Sequence, residues 1–395
     1  MSSSSDRGDV LKRFYRPELD ALRFLAFFLV FFAHTTNPLV LEMQAAGPVQ
    51  AAIAPIFNGG GFGVDLFFLL SAYLITELLT REMNRTGVID VTSFYMRRIL
   101  RIWPLYFSFA IATLILSRFT SVQFPTDAIA PMFLFYLNWY FVTHPLFQPG
   151  SILWSVSVEE QFYVVCPILI RTLSARNLIR LCLGLIALAI VARFAVLSTS
   201  DNWWQSVSFN TFTRLDPIAT GILIALFLKG RVPRFRIATR WLLAGVGLLL
   251  LCLAAEAEGT FIGWMAAFPT ADLGAMAIFL AFLGASITWR PLIYLGQISY
   301  GLYVFHMFWL EAVREVLLRF TGEWSFWERG LIALPLTIMA AAVSYRWLET
   351  PFLRLKGISA GELAERLMAR RISAIPKFSR KDASSAISHR SGAEP

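Results

Sequence analysis

Ten runs of apolar residues, each of membrane-crossing length or close to it, follow one another at about 22–40, 62–79, 103–118, 153–173, 178–198, 215–228, 241–255, 264–288, 291–313 and 329–348. The hydrocarbon layer offers the backbone no hydrogen-bond partners, so a chain crosses it as helices of about 20 apolar residues whose amides satisfy one another. The pattern predicts an all-α polytopic membrane protein with about ten transmembrane helices. An eleventh stretch, 131–142, is too short to cross and is expected to be re-entrant or interfacial. Residues Phe94 to Ile102 set Arg98 and Arg101 one turn apart, the pattern of an amphipathic helix lying in the interface.

The membrane domain is expected to occupy residues 14–354. It follows a polar, Ser-rich, disordered cytoplasmic segment, 1–13, which has no features of a cleaved signal, so the first helix is expected to stay. It precedes a cytoplasmic tail, 355–395, with one short helix over Ala360–Arg371 and then a disordered Ser-rich and basic end. No period of about 20 to 50 residues indicates repeats.

Composition fits this reading: 57% of residues are hydrophobic and only 15% charged, too little charge to cover a soluble globule of this size. A net charge of +9 raises the possibility of a nucleic-acid partner, and its placement argues against one. The Lys and Arg residues gather at 12–16, 81–101, 171–180 and 229–240 and after 354, whereas 37–58, 199–213 and 256–263 have none. With ten spans, every basic cluster then falls on one side, which the positive-inside rule makes cytoplasmic, together with both termini. Cys166, Cys182 and Cys252 sit in apolar runs as small buried hydrophobes. The four histidines, His34, His144, His306 and His389, lack metal-ligand spacing, so no metal is assigned.

The polar residues inside apolar runs carry the candidate chemistry, since an ionisable side chain in lipid costs about 2.5–3.5 kcal/mol and marks a functional site by default. Arg23 and His34 belong to one run and are eleven residues apart, which on a helix is about three turns and about 16 Å along a single face. The predicted topology puts His34, Asp65, Glu159, Glu160, Arg214, Asp216 and His306 in the outer half. It puts Asp20, Arg23, Arg97, Arg98, Arg101, Arg346 and Glu349 at the inner side.

The inner guanidinium row suits a ligand with several phosphates, which Arg holds bidentately, or else anchorage to anionic lipid, the preferred reading for Arg81 and Arg85. The outer zone pairs imidazoles with carboxylates, so that Glu159 or Glu160 can orient His34 as a base toward a hydroxyl. Arg214 and Asp216, two residues apart, suit structural charge pairs better than substrate contacts. Gly59, Gly60, Gly61 and Gly63 permit close approach of the backbone to a ligand or another helix, and without a following Lys and Ser or Thr they are not a phosphate loop.

Seven segments in order resemble the acyltransferase family 3 membrane proteins. They are Tyr15 to Arg23 followed by His34, Gly63 to Ser71, Arg97 to Pro104, Trp154 to Tyr163, Thr213 to Asp216, Ile298 to His306, and Tyr345 to Pro351. The family usually reads Ser-Gly-Tyr where this chain has Ser71-Ala72-Tyr73, a methyl on a helix-packing face. Nothing after residue 354 resembles the esterase-like domain of some relatives, so acceptor handling is expected to rest on the membrane core.

The resemblance implies a bacterial inner-membrane enzyme that moves an acyl group, usually acetyl, from cytoplasmic acyl-CoA to a hydroxyl. The acceptor would be a sugar, a glycolipid or a small hydroxylated molecule on the outer side. The expected catalytic residues are His34, as base or transient acyl carrier, with Glu159 and Arg23. The donor is expected at Arg23, Arg97, Arg98 and Arg101, and the acceptor near Asp65, Tyr163, Arg214, Asp216, Tyr303 and His306. Membrane lipids are the other partners. Two rivals are a proton-coupled transporter of a sugar or organic acid, which should show an echo of the His34 segment near 200–240 and does not, and a lipid-binding scaffold.

Overall fold

The computed structural model describes residues 15–46, 54–119, 124–257, 259–322 and 325–357. The expected N-terminal disorder over 1–13 and the helix at Ala360–Arg371 lie outside them. Each of the ten apolar runs contains a long helix: α1 Pro17–Ala46, α2 Gly63–Thr86, α3 Val91–Ser117, α4 Leu153–Thr172, α5 Ala175–Thr199, α6 Leu215–Leu228, α7 Ile237–Ala257, α8 Phe261–Phe282, α9 Ser299–Thr321 and α10 Phe326–Ser344. Among the described residues there is no strand.

Among the described residues eight helices are, by length and composition, long and apolar enough to cross a membrane. The other two are α6, with only 14 residues, and α9, whose second half carries Glu311, Arg314, Glu315 and Arg319. Helix starts follow local chemistry: the side chains of Asp90, Ser174 and Thr260 accept the backbone N–H three residues on, and Ser325 forms a reciprocal capping box with Glu328.

The bundle is built around α2, which touches α1, α4, α6 and α8. Leu22, Ala26 and Phe27 of α1 and Leu66, Leu69 and Ala72 of α2 are completely shielded. By contrast α5 and α7 present Leu183, Val191, Phe194, Trp241, Leu242 and Leu249 outward, the apolar belt that faces lipid. Gly59 and Gly60, ahead of α2, permit close helix contact: a Cβ on Gly60 would lie 2.3 Å from the Leu29 carbonyl oxygen of α1. Ala72, the departure from the family pattern, lies against Gly221 of α6, whose own Cβ would meet the Leu69 carbonyl at 2.3 Å.

Two sequence expectations are corrected. Phe94 to Ile102 are the first turns of α3 and continue through Pro104 without a break, because their arginines face a protein cavity and have no need of the headgroup layer. The run at 291–313 is two elements: a short helix Arg290–Gln297 lies across α1, and α9 starts afresh at Ser299. Gly296 makes this crossing possible, since a Cβ there would sit 1.9 Å from the Asp20 carbonyl oxygen. The stretch at 131–142 is broken into Ile129–Phe133 and Leu137–Thr143, too short to span.

Candidate functional site

Two abutting chambers lie among α1, α2, α3, α4 and α9. The first, about 280 Å³, is lined by Tyr15, Arg16, Asp20, Arg23, Arg97, Arg98 and Arg101. The second, about 80 Å³, has Arg23, Arg98 and Arg101 at one end, where it shares them with the first, and Ser71, Glu159, Tyr163, Ser155 and Tyr303 along its walls. The helical spacing of Arg98 and Arg101 turns both guanidinium groups inward from one face of α3.

Their partners differ. Arg23 pairs with Asp20 at 3.2 Å and Arg97 with Glu82 at 3.7 Å. Among the described residues Arg98 and Arg101 have no carboxylate, and Arg98 rests on the faces of Phe94 and Tyr163, 5.5 and 5.2 Å from their ring centres. A guanidinium in a cavity wall with no carboxylate in direct contact has donors ready for an anion. Arg346 is exposed beside Trp347 and lines neither chamber.

Glu159 sits in the second chamber with these arginines. One carboxylate oxygen accepts from the Ser71 hydroxyl and the other from the Tyr163 hydroxyl, both at 2.9 Å. The expected bond from Glu159 to His34 is not made. Tyr163 lies one turn from Glu159 and Ser71 reaches in from α2, so both oxygens are held inside the chamber. Glu160 points elsewhere, accepting from the Trp103 indole at 3.3 Å.

His34 instead meets His306, with His34 Nδ1 2.9 Å from His306 Nε2. On its other side His306 Nδ1–H donates to the Tyr303 carbonyl at 2.6 Å. His306 is fully buried, with the Phe27 and Phe31 rings 5.9 and 6.4 Å away. Neither histidine lines a chamber, and Tyr303 connects the two places. Its hydroxyl bonds Ser155 at 2.7 Å in the chamber wall, while its carbonyl holds His306. Arginines, chamber and histidine pair thus follow one another along α1 over the eleven residues from Arg23 to His34, about 16 Å.

Asp65, Arg214 and Asp216 form buried pairs away from both chambers. Arg214 binds Asp65 at 3.1 Å and lies over Phe268, 4.7 Å from the ring centre. Asp216 pairs with Arg193, which also donates twice to the Thr213 carbonyl at 3.0 and 3.2 Å. These bonds, the charge pairs their spacing suggested, tie α2, α5 and α6 together.

Several residues were not singled out from sequence. Arg193 is 0% exposed, and its signal was a charge deep inside a run, here apolar from Leu181 onward. Asp272, which accepts from Thr220 at 2.6 Å, gave the same signal. Ser71 and Ser155 lie in quoted motifs, but no spacing rule connects α2 to α4 or α4 to α9.

The sequence matches a family model described as an acyltransferase domain over residues 16–346. The O-acetyltransferase OatA of Staphylococcus aureus strain NCTC 8325 / PS 47 is 29% identical over 376 residues, covering 88% of this chain and 58% of the relative. OatA of strain COL is similar to the same extent. The chain therefore spans less than two thirds of the length of these relatives. No solved structure matches.

Proposed function

The chain belongs to the acyltransferase family 3, and from that premise we propose that it is a membrane O-acyltransferase that moves an acetyl group from acetyl-CoA to a hydroxyl of a sugar or glycolipid. The observation that carries the reading is the pair of chambers sharing Arg23, Arg98 and Arg101, two of which lack a carboxylate partner among the described residues. The phosphates of the donor take the place of those missing carboxylates. Its thioester arm runs through the second chamber, past Ser71, Glu159 and Tyr163, toward Tyr303 and the histidines. The basic loops support a cytoplasmic position for the arginines, in a bacterial inner membrane, with the acceptor arriving from the other side.

In the transfer, the acceptor oxygen attacks the thioester carbonyl carbon. A C–O ester bond forms and the C–S bond breaks. The hydroxyl proton passes to His34 Nε2, the ring nitrogen with no partner among the described residues, and from there to the departing thiolate, so that CoA leaves as the free thiol.

Donor binding tests this. Arg98→Ala and Arg101→Ala are each expected to weaken acetyl-CoA binding by about tenfold, the loss of about 1.4 kcal/mol from one charge-assisted contact. The measurement is calorimetric titration of the purified protein in nanodiscs with acetyl-CoA. Unchanged affinity in both variants would overturn the donor assignment.

A further inference from the structure

The donors and acceptors around the histidine pair allow only one arrangement of protons. The Tyr303 carbonyl accepts and cannot donate, so the 2.6 Å contact requires the proton of His306 to sit on Nδ1. Among the described residues no carboxylate bonds either ring, and a buried charge without a partner costs several kcal/mol, so the fully buried His306 carries that one proton alone. Its Nε2 is then a bare acceptor. The 2.9 Å contact with His34 must be donated by His34 Nδ1–H, which leaves the lone pair of His34 on Nε2.

We propose that His306 is the positioning residue of the reaction: it fixes His34 in the tautomer whose Nε2 can take a proton from the acceptor. The inference rests on the reading of His34 as the base. In hydrolases with a serine nucleophile a buried carboxylate holds the imidazole in its working tautomer. Here a second imidazole does so, itself held by a main-chain carbonyl that no side-chain replacement can remove. When His34 becomes an imidazolium its Nδ1–H bond to His306 becomes charge-assisted, and the bond from His306 to the Tyr303 carbonyl strengthens with it. The arrangement explains why Glu159 is not needed beside His34: both of its oxygens are engaged by Ser71 and Tyr163. It also places the orienting group on Tyr303, whose hydroxyl is fixed by Ser155 in the donor chamber wall.

The test compares His306→Leu, which removes the acceptor, with His306→Gln, whose amide oxygen can accept from His34 Nδ1–H. Turnover is followed as release of free CoA from acetyl-CoA by membranes of cells that make the protein. His306→Leu is expected to lower kcat by about 10²–10³-fold with KM for acetyl-CoA within about twofold. His306→Gln is expected to recover at least about tenfold of that loss. Solid-state NMR of the intact wild-type protein labelled with ¹⁵N-histidine reads the tautomer directly and does not depend on a variant folding. It is expected to show the His34 proton on Nδ1, and in His306→Leu a mixture of tautomers.

A wild-type His34 proton on Nε2, or equal kcat for the Leu and Gln variants, would overturn the proposal while leaving the acyltransferase reading in place. Full activity of His34→Ala would instead remove the base on which this proposal rests.

Discussion

Replacing His34 with alanine is expected to lower acetyl transfer by about 10²–10⁴-fold, the usual contribution of a positioned general base, while acetyl-CoA binds within about twofold of normal. The separation of the two effects follows from the layout. Arg23, one of the guanidinium groups proposed to hold the donor, lies about 16 Å of helix rise along α1 from His34, Arg98 and Arg101 belong to α3, and no residue of the histidine pair lines either chamber. Donor binding and proton transfer are therefore assigned to different side chains. Single-turnover CoA release and acetyl-CoA titration, run on the same preparation, measure the two quantities. A His34→Ala protein that inserts normally and turns over at the wild-type rate would contradict the assignment of the base.

The second large effect concerns stability. Arg193→Leu is expected to cost about 3–5 kcal/mol, because the Asp216 carboxylate, sealed from solvent, loses its partner. Two donated bonds to the Thr213 carbonyl go with it, which loosens the turn that leads into α6. Adding Asp216→Leu is expected to return part of the loss, since two apolar side chains of suitable size leave no buried charge behind. Chemical denaturation in mild detergent measures both proteins. Equal stability of wild type and Arg193→Leu would show that the buried pair contributes nothing net. Because these residues line neither chamber, donor affinity in the Arg193→Leu protein that does fold is expected to be unchanged.

The helices were legible because each apolar run is a direct consequence of the solvent around it. Even α6, with 14 residues, follows from a largely apolar sequence, Leu215 to Leu228, interrupted by Asp216 and Thr220. Boundaries were less legible where tertiary contact decided them. The start of α9 depends on Gly296 meeting the Asp20 backbone, and α3 continues past Arg98 and Arg101 because a chamber receives their side chains.

At the candidate site, what lies on one helix could be read. Arg23 and His34 share a face of α1, and Arg98 and Arg101 a face of α3, by periodicity alone. What lies between helices could not. Sequence offered Glu159 as the partner of His34, and packing placed His306 there, since depth in the membrane assigns a residue to a layer and leaves its azimuth open. The Arg214 and Asp216 spacing suggested charge pairs, yet Arg193, the actual partner of Asp216, lay hidden in a run read only as lipid-crossing.

The central claim is that a thioester donor held by the guanidinium groups gives up its acyl group to a hydroxyl at the histidine pair. The most direct measurement gives acetyl-CoA labelled in its acetyl group to membranes from cells with and without the protein, then follows free thiol and alkali-labile label together. Transfer predicts that free CoA and ester-bound label appear in equal amounts only where the protein is present, and that His34→Ala abolishes both. Equal thiol release in the two membranes, with no label in ester linkage, would contradict the account.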